Sequence, residues 1–599
     1  MTAPASAPPR RSRRLLLWAV LALALILRLA HWGAVRGEPF FSWLVMDSQE
    51  YDRWAQEVAA GDWLGSQVFF QAPLYPYFLA IVYSVFGRSL DAVYLLQILL
   101  AVAGCYALYR AGREMAGEGV GLAAAGLAAV YGPFLFYDVQ ILKESLAVTV
   151  TAFLLWALAS GRRAGGRVWM GAGLLLGVLS LLRENALLLL PFLLPLAWRR
   201  EDGGRGLLRR GGALALGLVL ALVPVAVRNG LVSGDFLPTT FQGGVNFYIG
   251  NNAQADGTYR PIVPGKQIPA LERREPVRVA EQETGRPLSP AEVSRFWLDR
   301  ALGWAAAHPG DFLRLQLRKL GMFWSWYEWP DAVDYYYVQG LSGVYRFPLL
   351  ELGGLMILFA AGLWGIRKHP GPFAPALVFA VAWMLSTVIF FLFARYRLPA
   401  VPALMLVAAV PVAGLPAARR AGGGRRAGAV LLVLAAVLLP QIMAYQPRMD
   451  LVHYNLARLE EERGNPAAAH EHYKAAFILN PHDFLACLNL GNLAARQGDW
   501  ATALRFYDRA AAIEPASDDV ESNLGGVYLA LGRIQEAEAH LDRALALNGQ
   551  NRTALHNKAL LLAGSGDRDG ARALNRRLLE IDPQNPAALR LRDRLLSGM

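Results

Sequence analysis

RRSRRLLLWAVLALALILRLAHWGAV, residues 10–35, opens the first long apolar run of the chain. Arginines at 10, 11, 13 and 14 stand directly before it, and only Arg28 and His31 interrupt it. The run is long enough to cross a hydrocarbon core of about 30 Å. No small-x-small cleavage site closes it and further runs follow, so it reads as a retained anchor and not as a signal peptide. Those runs lie near 91–109, 119–136, 139–159, 168–182, 185–198, 212–229, 350–366, 373–393, 398–415 and 428–445. The expectation is an all-α polytopic chain with about 11 spans, and with 75–87 lying at the membrane interface. Arg28, in mid-span, is expensive in lipid and must face protein or a polar cavity.

Composition agrees with this reading. Of the 599 residues, 55% are hydrophobic and 18% charged, with a mean hydropathy of +0.29. A soluble domain carries about 25% charged residues, so much of this chain has lipid as its solvent. The formal charge of +12 does not point to nucleic acid, because residues 451–599 hold 17 basic against 19 acidic residues. The excess therefore lies between apolar runs, where it sets topology. From a cytoplasmic N-terminus, alternating spans place the basic segments 110–113, 162–167, 199–210, 367–368 and 419–426 inside, as the positive-inside rule requires. Outside lie loops at about 37–74 and 230–349, the turn at Asp138, the turn holding Arg395 and Arg397, and everything after about 446. Cys105 and Cys487 are too far apart to suggest a disulfide framework or a metal site.

The last 150 residues change period. Pro481, Pro515, Gly549 and Pro583 recur every 34 residues, as do Ala469, Ala503, Ala537 and Ala571. Gly491 and Gly525, and Tyr473, Tyr507 and Leu541, hold two further phases. Thirty-four residues is the tetratricopeptide (TPR) period, in which small residues let paired helices approach. Two domains follow: a membrane domain over 1–449, and a TPR solenoid over 450–599 with four repeats and a capping helix.

Chemistry-bearing residues collect at the outer turns. The first loop reads MDSQEYDRWAQEVAAGDW (46–63), then QAPLYPYFLAIVYSVFG (71–87), and carries Asp47 and Tyr51. The next, YGPFLFYDVQILKESLAV (131–148), carries Asp138, Lys143 and Glu144. A late turn, FARYRLPAVPAL (393–404), carries Arg395 and Arg397. Carboxylates on one wall of a cleft and guanidinium groups on the other suit a substrate with both a hydroxyl and a phosphate. The long loop segment RNGLVSGDFLPTTFQGGVNFYIGNNAQADGTYRP (228–261) offers Asn246, Tyr248, Asn251 and Asn252 for sugar or acceptor contacts. The aromatic stretch FWSWYEWPDAVDYYYV (323–338) reads as lying on the membrane surface. Blander readings stand beside these: a helix cap for Asp138, a local ion pair for Lys143 and Glu144, and snorkelling for the two arginines.

The Asp47-x-x-x-Tyr51 pattern after the first span, the Ala-Pro-Leu-Tyr-Pro run at 72–76 and the Arg395-Tyr396-Arg397 turn resemble bacterial GT-C glycosyltransferases. The likeness is to the protein O-mannosyltransferase and lipid A aminoarabinose transferase superfamily, over about 15–445. The resemblance implies an inverting transfer from a polyprenyl-phosphate-linked sugar to a protein, lipid or glycan acceptor. By position it makes Asp47 the catalytic carboxylate, Asp138 the second acidic residue, and Arg395 and Arg397 the phosphate receivers. The pattern departs from the Asp-Glu pair of the eukaryotic mannosyltransferases, since Ser48 follows Asp47. The site leaves room for a divalent cation near Asp47 and Asp138, and no nucleotide loop is found. The expected setting is a bacterial inner membrane, with the solenoid outside recruiting the acceptor or a protein partner. Two other readings stay open: an O-antigen ligase or polymerase type of envelope enzyme, and a scaffold whose spans only anchor the solenoid.

Overall fold

The computed structural model describes residues 10–161, 165–199, 201–266, 269–418, 428, 431–432, 434–436 and 445–597. Among these residues the regular structure is helical, apart from one parallel bridge between Tyr131 and Leu350. The chain forms two compact units. One comprises Met1–Arg260 and Pro276–Pro447, the other Pro261–Glu275 and Arg448–Met599.

In the first unit, six helices among the described residues are long and apolar enough to cross a membrane. They are Ser12–Val35, Leu90–Ala116, Glu144–Gly161, Gly203–Ser233, Gly371–Val388 and Ala394–Gly414. Five shorter apolar segments accompany them: Leu74–Phe86, Glu118–Ala129, Gly166–Leu182, Glu184–Ala197 and Leu352–Ile366. Among the described residues, then, six of the expected spans form helices of full crossing length and others are shorter; the expected span at 428–445 falls largely, and the basic segment at 419–426 wholly, outside the described residues.

Two expected spans are broken for identifiable reasons. The run 119–136 stops at Ala129, and a short helix Gly132–Asp138 follows. At the break the backbone pairs elsewhere: Gly132 N donates to Leu350 O at 2.9 Å and Leu350 N to Val130 O at 2.9 Å. The run 185–198 splits into Glu184–Leu189, Leu190–Leu193 and Leu194–Ala197. Pro191 and Pro195 each remove a backbone donor there, and the tighter helix relieves the clash with the preceding turn.

Small residues allow close packing. Gly173 lies against the Leu214 backbone and Gly217 against that of Met170, so Gly166–Leu182 and Gly203–Ser233 meet almost backbone to backbone. Lipid offers no hydrophobic drive between helices, and such contact supplies dispersion energy instead.

The second unit stacks four helix pairs and a last helix. The pairs are Met449–Glu462 with Pro466–Leu479, Phe484–Arg496 with Trp500–Ile513, Asp518–Ala530 with Ile534–Leu547, and Arg552–Gly564 with Arg568–Ile581; Pro586–Ser597 closes the array. Gly464, Gly498, Gly532 and Gly566 turn each pair at φ of 74, 76, 72 and 92°, a left-handed conformation that other residues resist. Ala469, Ala503, Ala537 and Ala571 are all fully buried. Ala503 packs in one cluster with Cys487, Tyr507 and Leu524. Ala503→Leu should overpack that cluster and destabilise the solenoid by about 1–3 kcal/mol. Thiol labelling of buried Cys487 in the full chain should accelerate accordingly; an unchanged rate would show that the cluster has slack.

Candidate functional site

Asp47 begins the helix Asp47–Ala59. The residue before it, Met46, has φ 53°, the one non-glycine residue with positive φ among those described. Strain of this kind persists only where the surroundings hold it, and here it aims the first turn of the helix. The helix is braced from one side by Asp52, whose carboxylate accepts from Tyr83 Oη at 2.6 Å and Arg88 Nε at 3.0 Å. The Tyr51 and Tyr75 rings meet edge to face, 5.4 Å between centroids.

Two long-range contacts define the site. Arg395 Nη2 lies 2.8 Å from Asp47 Oδ2 and 2.8 Å from Asp331 Oδ2, while Gln71 Nε2 donates to Asp47 Oδ1 at 2.9 Å. Asp47 and Asp331 keep 19% and 28% of their side-chain surface accessible, against 6% for Arg395, so the carboxylates face an opening and the guanidinium backs them. Burial pushes the Asp47 carboxyl up, but the charge and hydrogen bond of Arg395, with Lys143 and Gln71 adding, hold it below the ordinary carboxylate range. For Asp331 burial prevails over Arg395, and the Asp47 charge adds to it, so its proton is held more tightly than usual. The two titrate as a pair through their shared arginine.

Three cations, with the further carboxylates Glu144 and Glu184, stand beside this pair. Lys143, Arg183 and Arg395 are 6%, 7% and 5% exposed. Each lies within the electrostatic reach of the others. Arg183 pairs with Glu144 through Nη2 and lies over the Tyr396 ring, 4.5 Å to the centroid. Its Nε, and the Nε and Nη1 of Arg395, are buried donors without a hydrogen-bond partner among the described residues. Lys143 likewise has no ion pair within 4.0 Å among the described residues. A buried donor left unmade is expensive, and three such guanidinium donors on Arg183 and Arg395, beside an equally unpartnered Glu144 Oε2, suit a ligand that carries acceptor oxygens.

Tyr51 joins this cluster, buried beside Asp47, Arg395 and Arg183. Three of the sequence candidates go elsewhere. Asp138 is ion-paired with mid-span Arg28, Nε to Oδ2 2.7 Å, and accepts from Ser145 Oγ at 2.6 Å. The remaining Arg28 donors reach the carbonyls of Ala24, Ala128 and Ala129. Gln97 pins the same turn through the carbonyls of Asp138 and Gln140, both at 3.0 Å. Asp138→Asn keeps an acceptor but leaves the buried Arg28 charge uncompensated, and should lower stability by about 3–5 kcal/mol. Thermal unfolding in detergent checks this; an unmoved midpoint would mean that the pair contributes nothing.

Arg397 is spent on structure. Its Nη1 and Nη2 donate to the Ser325 and Tyr327 carbonyls, both at 2.7 Å, and Nη2 lies 3.0 Å from Glu328 Oε2. Asn251 is equally saturated: it donates to Phe247 O and Ile389 O at 2.8 Å, and accepts from Gln316 and Lys319. Asn246, half-buried on Gly243–Gly250, belongs to the same loop segment as Asn251. A divalent cation near Asp47 and Asp138 does not fit, because different arginines hold the two carboxylates. Between Asp47 and Asp331 a guanidinium already fills the bridging place. No group of three or more His, Cys, Asp or Glu able to hold a metal occurs among the described residues.

Asp331, Arg183 and Gln71 were not singled out from the sequence as site residues. Asp331 stands in the aromatic stretch read as a membrane-surface segment, where the Trp329-Pro330 turn before it was the available signal.

Residues 71–228 match the family described as dolichyl-phosphate-mannose-protein mannosyltransferase. The match takes in Gln71, Lys143, Glu144 and Arg183; Asp47, Asp331 and Arg395 lie outside it and reach the cluster through the fold. Tetratricopeptide repeat families match 454–518, 494–558 and 528–595. Among solved structures, the Arabidopsis OM64 TPR domain is 24% identical, covering 19% of this chain and 96% of its own, at a TM-score of 0.19. A thermophilic TPR protein of Thermus thermophilus is 25% identical, covering 31% and 98%, at a TM-score of 0.22. The type IV pilus biogenesis factor PilW is 25% identical, covering 26% and 72%, at 0.24. No curated protein matches the chain.

Proposed function

We propose that the membrane unit is an inverting GT-C-type glycosyltransferase that moves a sugar from a polyprenyl-phosphate carrier to an acceptor hydroxyl on the outer face of a bacterial inner membrane. The observation that carries this reading is the contact between Asp47 and Arg395, a carboxylate and a guanidinium 348 residues apart joined at 2.8 Å beside two further buried cations. The family match over 71–228, to a description that names a dolichyl-phosphate-linked sugar, supports a lipid-phosphate donor.

The acceptor oxygen attacks the anomeric carbon from the face opposite the phosphate. The new C–O bond forms as the old C–O bond to phosphate breaks, inverting the centre, and the acceptor proton passes to the Asp47 carboxylate. The carrier leaves as a phosphate monoester with one more negative charge than the diester had. Arg395, Arg183 and Lys143 take up that charge, and their unmet donors are already in place. When the phosphate draws Arg395 toward itself, Asp47 loses its strongest acidifying neighbour and becomes the better base. The isoprenoid tail stays in lipid throughout. Basic segments between the apolar runs support an outward-facing site, and the solenoid brings the acceptor or a protein partner to it.

The test is transfer of labelled sugar from a panel of polyprenyl-phosphate-linked donors by membranes holding the full chain, followed into protein, lipid and glycan fractions. Label should enter one fraction only when the protein is present. Failure of every donor in the panel, with the protein shown to be folded, would overturn the proposal.

A further inference from the structure

Within the second compact unit, residues 261–266 and 269–275 meet helices more than 200 residues later in sequence. Gly265, at φ 81°, lies so close to the Phe484 ring that a side chain there would collide with it. Lys266 is 7% exposed, and its Nζ lies 2.5 Å from Asp519 Oδ2 and 3.4 Å from Asp518 Oδ1. Further on, Arg274 Nη2 donates to Gln550 Oε1 at 3.2 Å.

These contacts follow the repeat. Phe484, Asp518 and Arg552 each open the first helix of a pair, 34 residues apart, and Gln550 precedes the last of them. The segment therefore advances along one edge of the solenoid, from the second repeat to the fourth, in step with the repeats. The acid pocket is a local addition to the repeat pattern. At the positions equivalent to Asp518 and Asp519 stand Asp450-Leu451, Phe484-Leu485 and Arg552-Thr553, so helix stacking does not require two aspartates there. Asn548 and Asn551 both donate to Asp518 Oδ2, at 2.7 and 2.8 Å, and orient its other oxygen toward Lys266. Asp518 is buried while Asp519 keeps 35% of its side-chain surface accessible, and adjacent carboxylates repel one another unless a cation sits between them.

We propose that the starts of the first helices of repeats two to four form a recognition surface for a lysine-bearing segment, and that Pro261–Glu275 of the outer loop is its resident ligand, anchored by Lys266. The inference is independent of the transferase reading, since it concerns the solenoid alone.

The experiment uses the full chain in detergent, digested briefly with a non-specific protease, with cleavage within 261–275 mapped by mass spectrometry. Lys266→Glu and Asp519→Lys should each raise cleavage in that segment about ten-fold or more, because each sets like charges side by side at a partly buried ion pair. The double variant restores opposite charges and should return cleavage to within about three-fold of wild type. Buried Cys487 serves as the control that the solenoid stays folded in all variants. Unchanged cleavage in both single variants would overturn the proposal. So would loss of protection in the single variants without recovery in the double, since the pairing would then not be what holds the segment.

Discussion

Asp47→Asn should reduce transfer by about 10²- to 10⁴-fold, the contribution of a positioned general base. The substitution keeps the shape of the side chain and one acceptor oxygen for Arg395, so the helix Asp47–Ala59 and its brace at Asp52 should persist. What is lost is the ability to accept the proton of the acceptor hydroxyl. Donor affinity should move the other way. Removing a negative charge 2.8 Å from Arg395 frees that guanidinium for the carrier phosphate, so the variant should bind donor at least as tightly as wild type. A fall in rate together with weaker binding would mean that Asp47 only holds Arg395 in place.

Arg395→Gln should lower the rate by about 10²- to 10³-fold, as expected for losing one donor to a charge that grows in the transition state, and should weaken donor binding as well. The variant also carries a pH signature. In the wild type the acid limb governed by Asp47 lies below the ordinary carboxylate value of about 3.9, because burial, which raises it, is outweighed by Arg395 together with Lys143 and Gln71. Without Arg395, burial is the largest remaining influence, the proton is held more tightly, and residual activity should fall off at a higher pH than in wild type. The sign is set by the ionised form being the active one. A rate profile that shifts to lower pH, or not at all, would separate Arg395 from the titration of Asp47.

Much of the architecture was legible because it is periodic. The run at 10–35 and the recurrence of alanine every 34 residues each impose a pattern that local physics cannot disguise. Asp47 and Arg395 were legible as candidates through their positions just outside apolar runs. The partners of Asp138 and Asp47 were not, because pairings across 110 and 348 residues leave no trace in sequence spacing. Arg28 had to face protein, yet which carboxylate met it depended on where the short helix Gly132–Asp138 broke from the span before it. Arg397 shows a different limit. Residues two apart on a helix point about 200° from each other, so on Ala394–Arg397 only one of the two arginines can face the cleft, and the other closes carbonyls behind it. Asp331 was missed because an irregular aromatic segment carries no period to read.

In the proposed transfer, Asp47 and Arg395 work on one lipid-linked phosphate. Equilibrium binding of labelled polyprenyl phosphate, the carrier without its sugar, to the purified full chain tests it most directly. Wild type and Asp47→Asn should both retain the carrier and Arg395→Gln should release it; Arg395→Gln binding as well as wild type would contradict the account.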